Sequence, residues 1–175
     1  RTPRLWSPDR NGGFSRADPQ RLYLQPIMDA VYGYPARNVE AQAGAPSSLL
    51  NWTRRMLAVR QTSRAFGRGR RRFLRPGNRK ILAYLSEHDG DTLLCVANLA
   101  RSAQPVELNL SRYKGRVPVE LLGRTLFPPI GELPYLLTIA AHGFYWFRLD
   151  KDAGAPSWHE EHVPMEDVPV LVLFD

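Results

Sequence analysis

Only one cysteine, Cys95, occurs in these 175 residues. That excludes an internal disulfide and fits a reducing cytoplasm, the location expected here. Cys95 lies in TLLCVANL, an alternating apolar run. A thiol there reads as a buried, inert packing group, not a nucleophile. Lysine is scarce as well, with Lys80, Lys114 and Lys151 the only three among 24 basic residues. Such an arginine skew is a common codon effect of GC-rich genomes. It weakens any reading of the net charge of +7 as affinity for nucleic acid or anionic lipid. No apolar run approaches the roughly 20 residues needed to span a bilayer, so no membrane partner is expected. Gly-rich phosphate loops and a Ser/His/Asp order are both missing. His159-Glu160-Glu161-His162 has the wrong spacing for a zinc helix and is bracketed by Pro156 and Pro164. Asp9-Arg10-Asn11-Gly12-Gly13 lacks the alternating oxygen ligands of a calcium loop. No metal and no cofactor is expected.

What is present is a globular composition, 43% hydrophobic and 23% charged. Residues 1–46 are rich in Gly, Pro, Asn and Asp, with scattered aromatics, and predict a long irregular loop with local packing. Residues 47–65 carry Leu49, Leu50, Trp52, Met56, Leu57 and Val59 at close to helical spacing. Ser47 or Ser48 supplies an N-cap, and Gly67 and Gly69 a stop. From Arg70 the period changes to two. ILAYLSE, TLLCVANLA, PVELNL, VPVELLG, YLLTIA and GFYWFRL read as short strands. Turn signals separate them, among them His88-Asp89-Gly90-Asp91 and Ala141-His142-Gly143. This spacing predicts an antiparallel β-sandwich. Residues 150–169 read as a polar, Pro-rich tail, and Val168 to Phe174 as a last apolar strand.

Seven segments carry a family resemblance. RTPRLW at 1–6 is similar to the RTPMQW signature of the oligo-1,6-glucosidase and trehalose synthase branch. SPDRNGGFSRADP at 7–19, NVEAQ at 38–42 and SLLNWTRRMLAVR at 48–60 resemble trehalose synthases. So do LRPGNRKILAYL at 74–85, VPVELLGRTLFPPIGELPYLLT at 117–138 and HGFYWFRL at 142–149. The chain thus resembles the trehalose synthases, α-amylase-like enzymes of glycoside hydrolase family 13.

The resemblance implies a mainly-β fold. Residues 1–69 would be the rim loop and final helix of a truncated (β/α)8 barrel. Residues 70–149 would be the C-terminal β-sandwich, and 150–175 a tail or linker. It implies interconversion of maltose and trehalose in the intact parent, through a covalent glucosyl-enzyme and two carboxyl groups ~5 Å apart. Those carboxylates would lie on barrel strands outside these residues, so no catalytic residue is assigned and the isolated chain is expected to be inactive. Arg1 is implied as a sugar contact, or else as a structural ion pair at the barrel rim. Asn11 and Phe14, with Gly12 and Gly13, would form a loop near the acceptor sugar, or else a tight turn with Phe14 packed inward. The resemblance also leaves room for a homo-oligomer and for a following maltokinase domain.

Arg4 and Leu5 depart from the family, where Met and Gln are usual. Two other functions compete with the resemblance. One is an Arg-rich nucleic-acid module, because Arg68, Arg70, Arg71, Arg72, Arg75, Arg79 and Lys80 cluster around Phe73. The sparse stacking aromatics count against it. The other is a carbohydrate-binding sandwich, which would need exposed aromatic pairs such as Tyr145 and Trp146. One face of FYWF must instead be core. The local carboxylates read as turn formers or solvated groups.

Overall fold

Alternation of period two organises the second half of the chain. The computed structural model describes residues 3–159. It divides into two compact units at the Arg64/Ala65 boundary.

The first unit is mostly loop, as its composition predicts, but it also holds a short helix, α1 (Val39–Gly44). Asn38 caps α1, its side-chain oxygen accepting from Ala41 N at 2.8 Å. A second helix, α2 (Leu49–Gln61), follows with Ser48 as N-cap. The Asn51 amide nitrogen donates to the carbonyls of Gln42, Ala43 and Ala45 at 3.1, 3.0 and 2.9 Å. It thereby satisfies the orphan carbonyls at the end of α1 and locks the two helices together. Helix α2 ends earlier than its apolar spacing predicts. Thr62 closes it, with both its N–H and its hydroxyl donating to Val59 O. A separate short helix, α3 (Ala65–Arg68), then opens the second unit. Gly67 therefore lies inside α3 and does not stop α2.

Among the described residues the second unit has seven strands: β1 (Arg70–Phe73), β2 (Ile81–His88), β3 (Asp91–Asn98), β4 (Gln104–Leu108), β5 (Val117–Glu120), β6 (Tyr135–Ile139) and β7 (Phe144–Asp150). The last strand expected at Val168 to Phe174 lies outside the described residues. All pairings are antiparallel. One sheet has the order β1-β2-β3-β7-β5, the other is the β4-β6 pair. Leu85, Leu94, Val96, Phe147 and Leu149 from the larger sheet meet Val106, Leu108, Leu137 and Ile139 from the smaller in one core. Each such buried side chain contributes roughly 1.5–3 kcal/mol.

The mainly-β sandwich is as predicted, with two additions. Strand β1 is made of RRRF and is exposed throughout, so no alternation announces it. Register with β2 pairs Arg70 with Glu87 and Arg72 with Leu85. The larger sheet is also covered on its outer face. There Leu93 and Cys95 pack against Ala65 and Phe66 of α3, beside Trp146. Phe66 and Trp146 ring centroids lie 4.8 Å apart. This second face explains why β3 is buried at nearly every position instead of alternating.

Two turns fix register. Asp89 and Gly90 have φ of 47° and 84°, the two left-handed residues of a type I′ hairpin. At the other end, the buried Asn98 amide donates to Ser102 O, Ile139 O and Ala140 O at 2.8, 3.1 and 2.9 Å. The side chain ties the turn after β3 to the turn before β7. The Phe127–Ile130 excursion runs along β5: Phe127 N donates to Pro118 O, and Ile130 N to Arg116 O, both at 2.9 Å.

Candidate functional site

The segment singled out by its motif folds on itself. Asn11, Gly12 and Gly13 take φ of 56°, 65° and 68°, a left-handed run that an Asn-Gly-Gly sequence can adopt. The run turns Gly12 O back to accept from Trp6 N at 2.7 Å and Ser7 N at 3.2 Å. A Cβ on Gly13 would lie 2.5 Å from Ser7 Oγ, so the close approach requires glycine.

Asn11 is buried and holds the loop closed. Its amide nitrogen donates to Ser15 O at 3.0 Å and Ala17 O at 2.8 Å. Phe14, by contrast, is 52% exposed within this unit, so the inward-packed alternative is not what forms. Arg1 lies outside the described residues. The structure therefore brings Asn11 and Phe14 into one loop, with Asn11 as its knot and Phe14 on its surface.

Residues 5 and 6 are pinned from both sides. Val39 N donates to Leu5 O and Glu40 N to Trp6 O, each at 3.0 Å. The first turn of α1 thus holds the backbone of the RTPRLW segment. Arg4, unusual for the family, places its guanidinium 5.5 Å from the centroid of the Trp6 ring. Sequence reasoning singled out Arg4 but missed its aromatic partner, although spacing of two along an extended segment puts both on one side.

Several acidic groups of the described residues serve local geometry. Asp9 accepts from Ser7 Oγ at 2.9 Å, and Asp18 from Gln20 N at 3.1 Å. Asp29 accepts from Val31 N and Tyr32 N at 2.8 and 2.6 Å. Buried Glu120 accepts from Leu122 N and Gly123 N, closing the turn after β5. Glu87 accepts from the Tyr113 hydroxyl at 2.5 Å, and Arg72 donates to that same oxygen at 3.2 Å. Burial, reinforced by the Glu87 carboxylate, raises the Tyr113 pKa. Among the described residues no group of three His, Cys, Asp or Glu could hold a metal ion. No described helix is long and apolar enough to cross a membrane. Of the HEEH motif only His159 is described.

A groove of about 420 Å³ lies on the second unit, lined among others by Phe127, Pro128, Leu133, Tyr135, Leu136 and Tyr145. The Tyr135 hydroxyl is already committed to Pro128 O at 2.9 Å. Tyr145 stacks on Phe147 with centroids 5.3 Å apart, and Trp146 faces α3 on the opposite side. Neither Tyr145 nor Trp146 stands free as a sugar platform.

Residues 71–146 match the family of the Maltogenic Amylase, C-terminal domain. The chain is 55% identical to a trehalose synthase/amylase of Mycolicibacterium smegmatis over 167 residues, covering 89% of this chain and 28% of that protein. It is 56% identical to a trehalose synthase of Pimelobacter over 153 residues, covering 85% of this chain and 27% of that one. Over most of its length the chain is the counterpart of the C-terminal portion of trehalose synthases, which are α-amylase-like glycoside hydrolases. It spans about a quarter of the length of the curated relatives it matches. An isomaltulose synthase from Erwinia rhapontici NX5 shares the fold, with a TM-score of 0.60, 24% identity and coverage of 86% of this chain and 25% of that one. The matched segment comprises the C-terminal amylase sandwich with the loop and helices that precede it.

Proposed function

We propose that these residues act within an enzyme that interconverts maltose and trehalose by intramolecular glucosyl transfer. One observation carries the reading: the likeness to trehalose synthases runs through both units, not through the sandwich alone. The two carboxylates of such a retaining reaction, ~5 Å apart, belong to the barrel of the whole protein. Released glucose must turn within the site and attack through a different hydroxyl, so water has to be excluded.

The role assigned to residues 1–69 is to complete the rim of that barrel. Arg1 would contact the sugar in the cleaved subsite. The Asn11 knot would hold Phe14 toward the acceptor sugar. The sandwich at 70–149 would brace the barrel and set the assembly surface. Exposed Leu49, Trp52 and Leu57 on α2 fit a helix that packs against further chain. A homo-oligomer, a cytoplasmic location and a maltokinase domain as partner belong to the same proposal.

The test is incubation of the purified 175-residue chain with maltose, following trehalose and glucose by carbohydrate chromatography. No turnover is expected from the chain alone. The whole protein should isomerise maltose, and Phe14→Ala in it should raise the share of glucose released. Turnover by the chain alone would overturn the assignment of the carboxylates to the barrel.

A further inference from the structure

We infer, given Phe14 at the acceptor sugar, that Asn38 is a positioning residue for the isomerisation: its buried amide sets the loop at 11–14 by two routes. Asn38 is 2% exposed. Its side-chain oxygen accepts from Ala41 N and its side-chain nitrogen donates to Tyr34 O, each at 2.8 Å. An amide paired at both ends keeps one orientation, because releasing either end leaves a buried polar group without a partner.

The first route runs through α1. Asn38 takes two N–H groups of the first turn, Ala41 N on its side chain and Gln42 N on its carbonyl at 3.1 Å. The other two, Val39 N and Glu40 N, are the ones that hold Leu5 O and Trp6 O. Trp6 passes the restraint on, since its own N–H donates to Gly12 O at 2.7 Å. The backbone of Trp6 is thus bonded on one side to the helix and on the other to the loop. Asn51 ties the far end of α1 to α2, so the helix is the post and the loop is the part it holds.

The second route runs through Tyr34. Gly12 is buried, and a Cβ on it would meet Leu5 Cδ2 at 3.0 Å and Tyr34 Cβ at 3.4 Å. Its φ of 65° and this close approach fit glycine, and they seat the loop between Leu5 and Tyr34. Both walls are tied to Asn38, Tyr34 directly and Leu5 through Val39. Two residues beyond Gly12 the loop presents Phe14, 52% exposed within this unit. Loss of the Asn38 amide frees both walls and the Trp6 contact together, and Phe14 loses its place at the sugar. Water then takes the glucosyl group in place of the glucose hydroxyl, and one maltose gives two glucose molecules instead of one trehalose.

The product ratio of the whole protein on maltose tests it, because a share of unfolded enzyme lowers both products alike. Asn38→Ala should raise the ratio of glucose to trehalose roughly 3-fold or more. Phe14→Ala should raise it as well. The double variant should be no more hydrolytic than Phe14→Ala alone, since Asn38 acts through Phe14. Asn38→Ser keeps a cap oxygen and loses the Tyr34 contact, so its ratio should fall between those of the parent and Asn38→Ala. Should Asn38→Ala not fold, Asn38→Ser decides on the same ratio. An unchanged ratio in the Asn38 variants beside a raised one in Phe14→Ala would overturn the inference and leave Phe14 at the sugar. Full additivity in the double variant would overturn it too, by putting Asn38 on another path. No change in Phe14→Ala would remove Phe14 from the site, and the role of Asn38 with it.

Discussion

Ser86 donates its hydroxyl to the carbonyl of Ala65 at 2.6 Å, a buried bond across 21 positions of sequence. It fixes α3 on the outer face of the larger sheet, where Phe66 and Trp146 pack together. Ser86→Ala should destabilise the sandwich by about 1–2 kcal/mol, read as a lower midpoint in urea. Since Gly69 N also donates to Ala65 O, at 3.1 Å, a larger loss would mean that α3 had detached altogether.

Asn98 bonds at both ends of its amide. Besides the three carbonyls already described, its oxygen accepts from Ala100 N at 2.9 Å. Asn98→Ala leaves several carbonyls of two turns without a donor. Unfolding should become easier by about 2–3 kcal/mol. Asn98→Asp should be at least as harmful, because a carboxylate would face three carbonyl oxygens. A variant as stable as the parent would show that water replaces the amide at no cost.

Gly13 is the loop position where a side chain cannot be placed. Gly13→Ala combines a positive φ with a Cβ against Ser7 Oγ. Its cost is about 1–2 kcal/mol, confined to the first unit. Local protease sensitivity at residues 7–17 should rise, while hydrogen exchange in β2 and β3 stays unchanged. A uniform loss of protection in both units would contradict a local role.

Burial raises the Cys95 thiol pKa, although Tyr84 and Arg71 oppose the shift. A raised value means the folded state holds the proton more tightly than the unfolded chain. The stability is therefore fully present below the unfolded thiol value, about 8.5, and is lost as pH rises through the folded one. Tyr113 and Tyr135 are raised too, chiefly by burial. Their contribution is lost in turn as pH climbs above about 10. Stability measured from pH 7 to 11 should fall in two stages. Cys95→Ala should flatten the first, and Tyr113→Phe should soften the second. A thiol reagent should react with native chain only at the rate of opening.

Much of this was legible in sequence. Short apolar runs bounded by turn signals mark six of the seven described strands, and period two survives where one face stays open, as in β6. Asp89-Gly90 marks its hairpin, since the type I′ turn needs two left-handed residues. Ser48 announces the start of α2. The family resemblance rests on quoted segments that reach across both units.

Tertiary structure decided the rest. Strand β1 has no hydrophobic pattern, and only the free backbone edge of β2 makes Arg70–Phe73 a strand. The burial of Cys95 and Leu93 depends on α3 folding over the sheet, a contact between residues distant in sequence. Asn11 was legible as a loop residue, but its burial and its two carbonyl partners were not. Sequence determines which residues can turn, cap or alternate, because those preferences are local. Which polar groups meet is set by how the chain closes on itself, and that is a property of the packed fold.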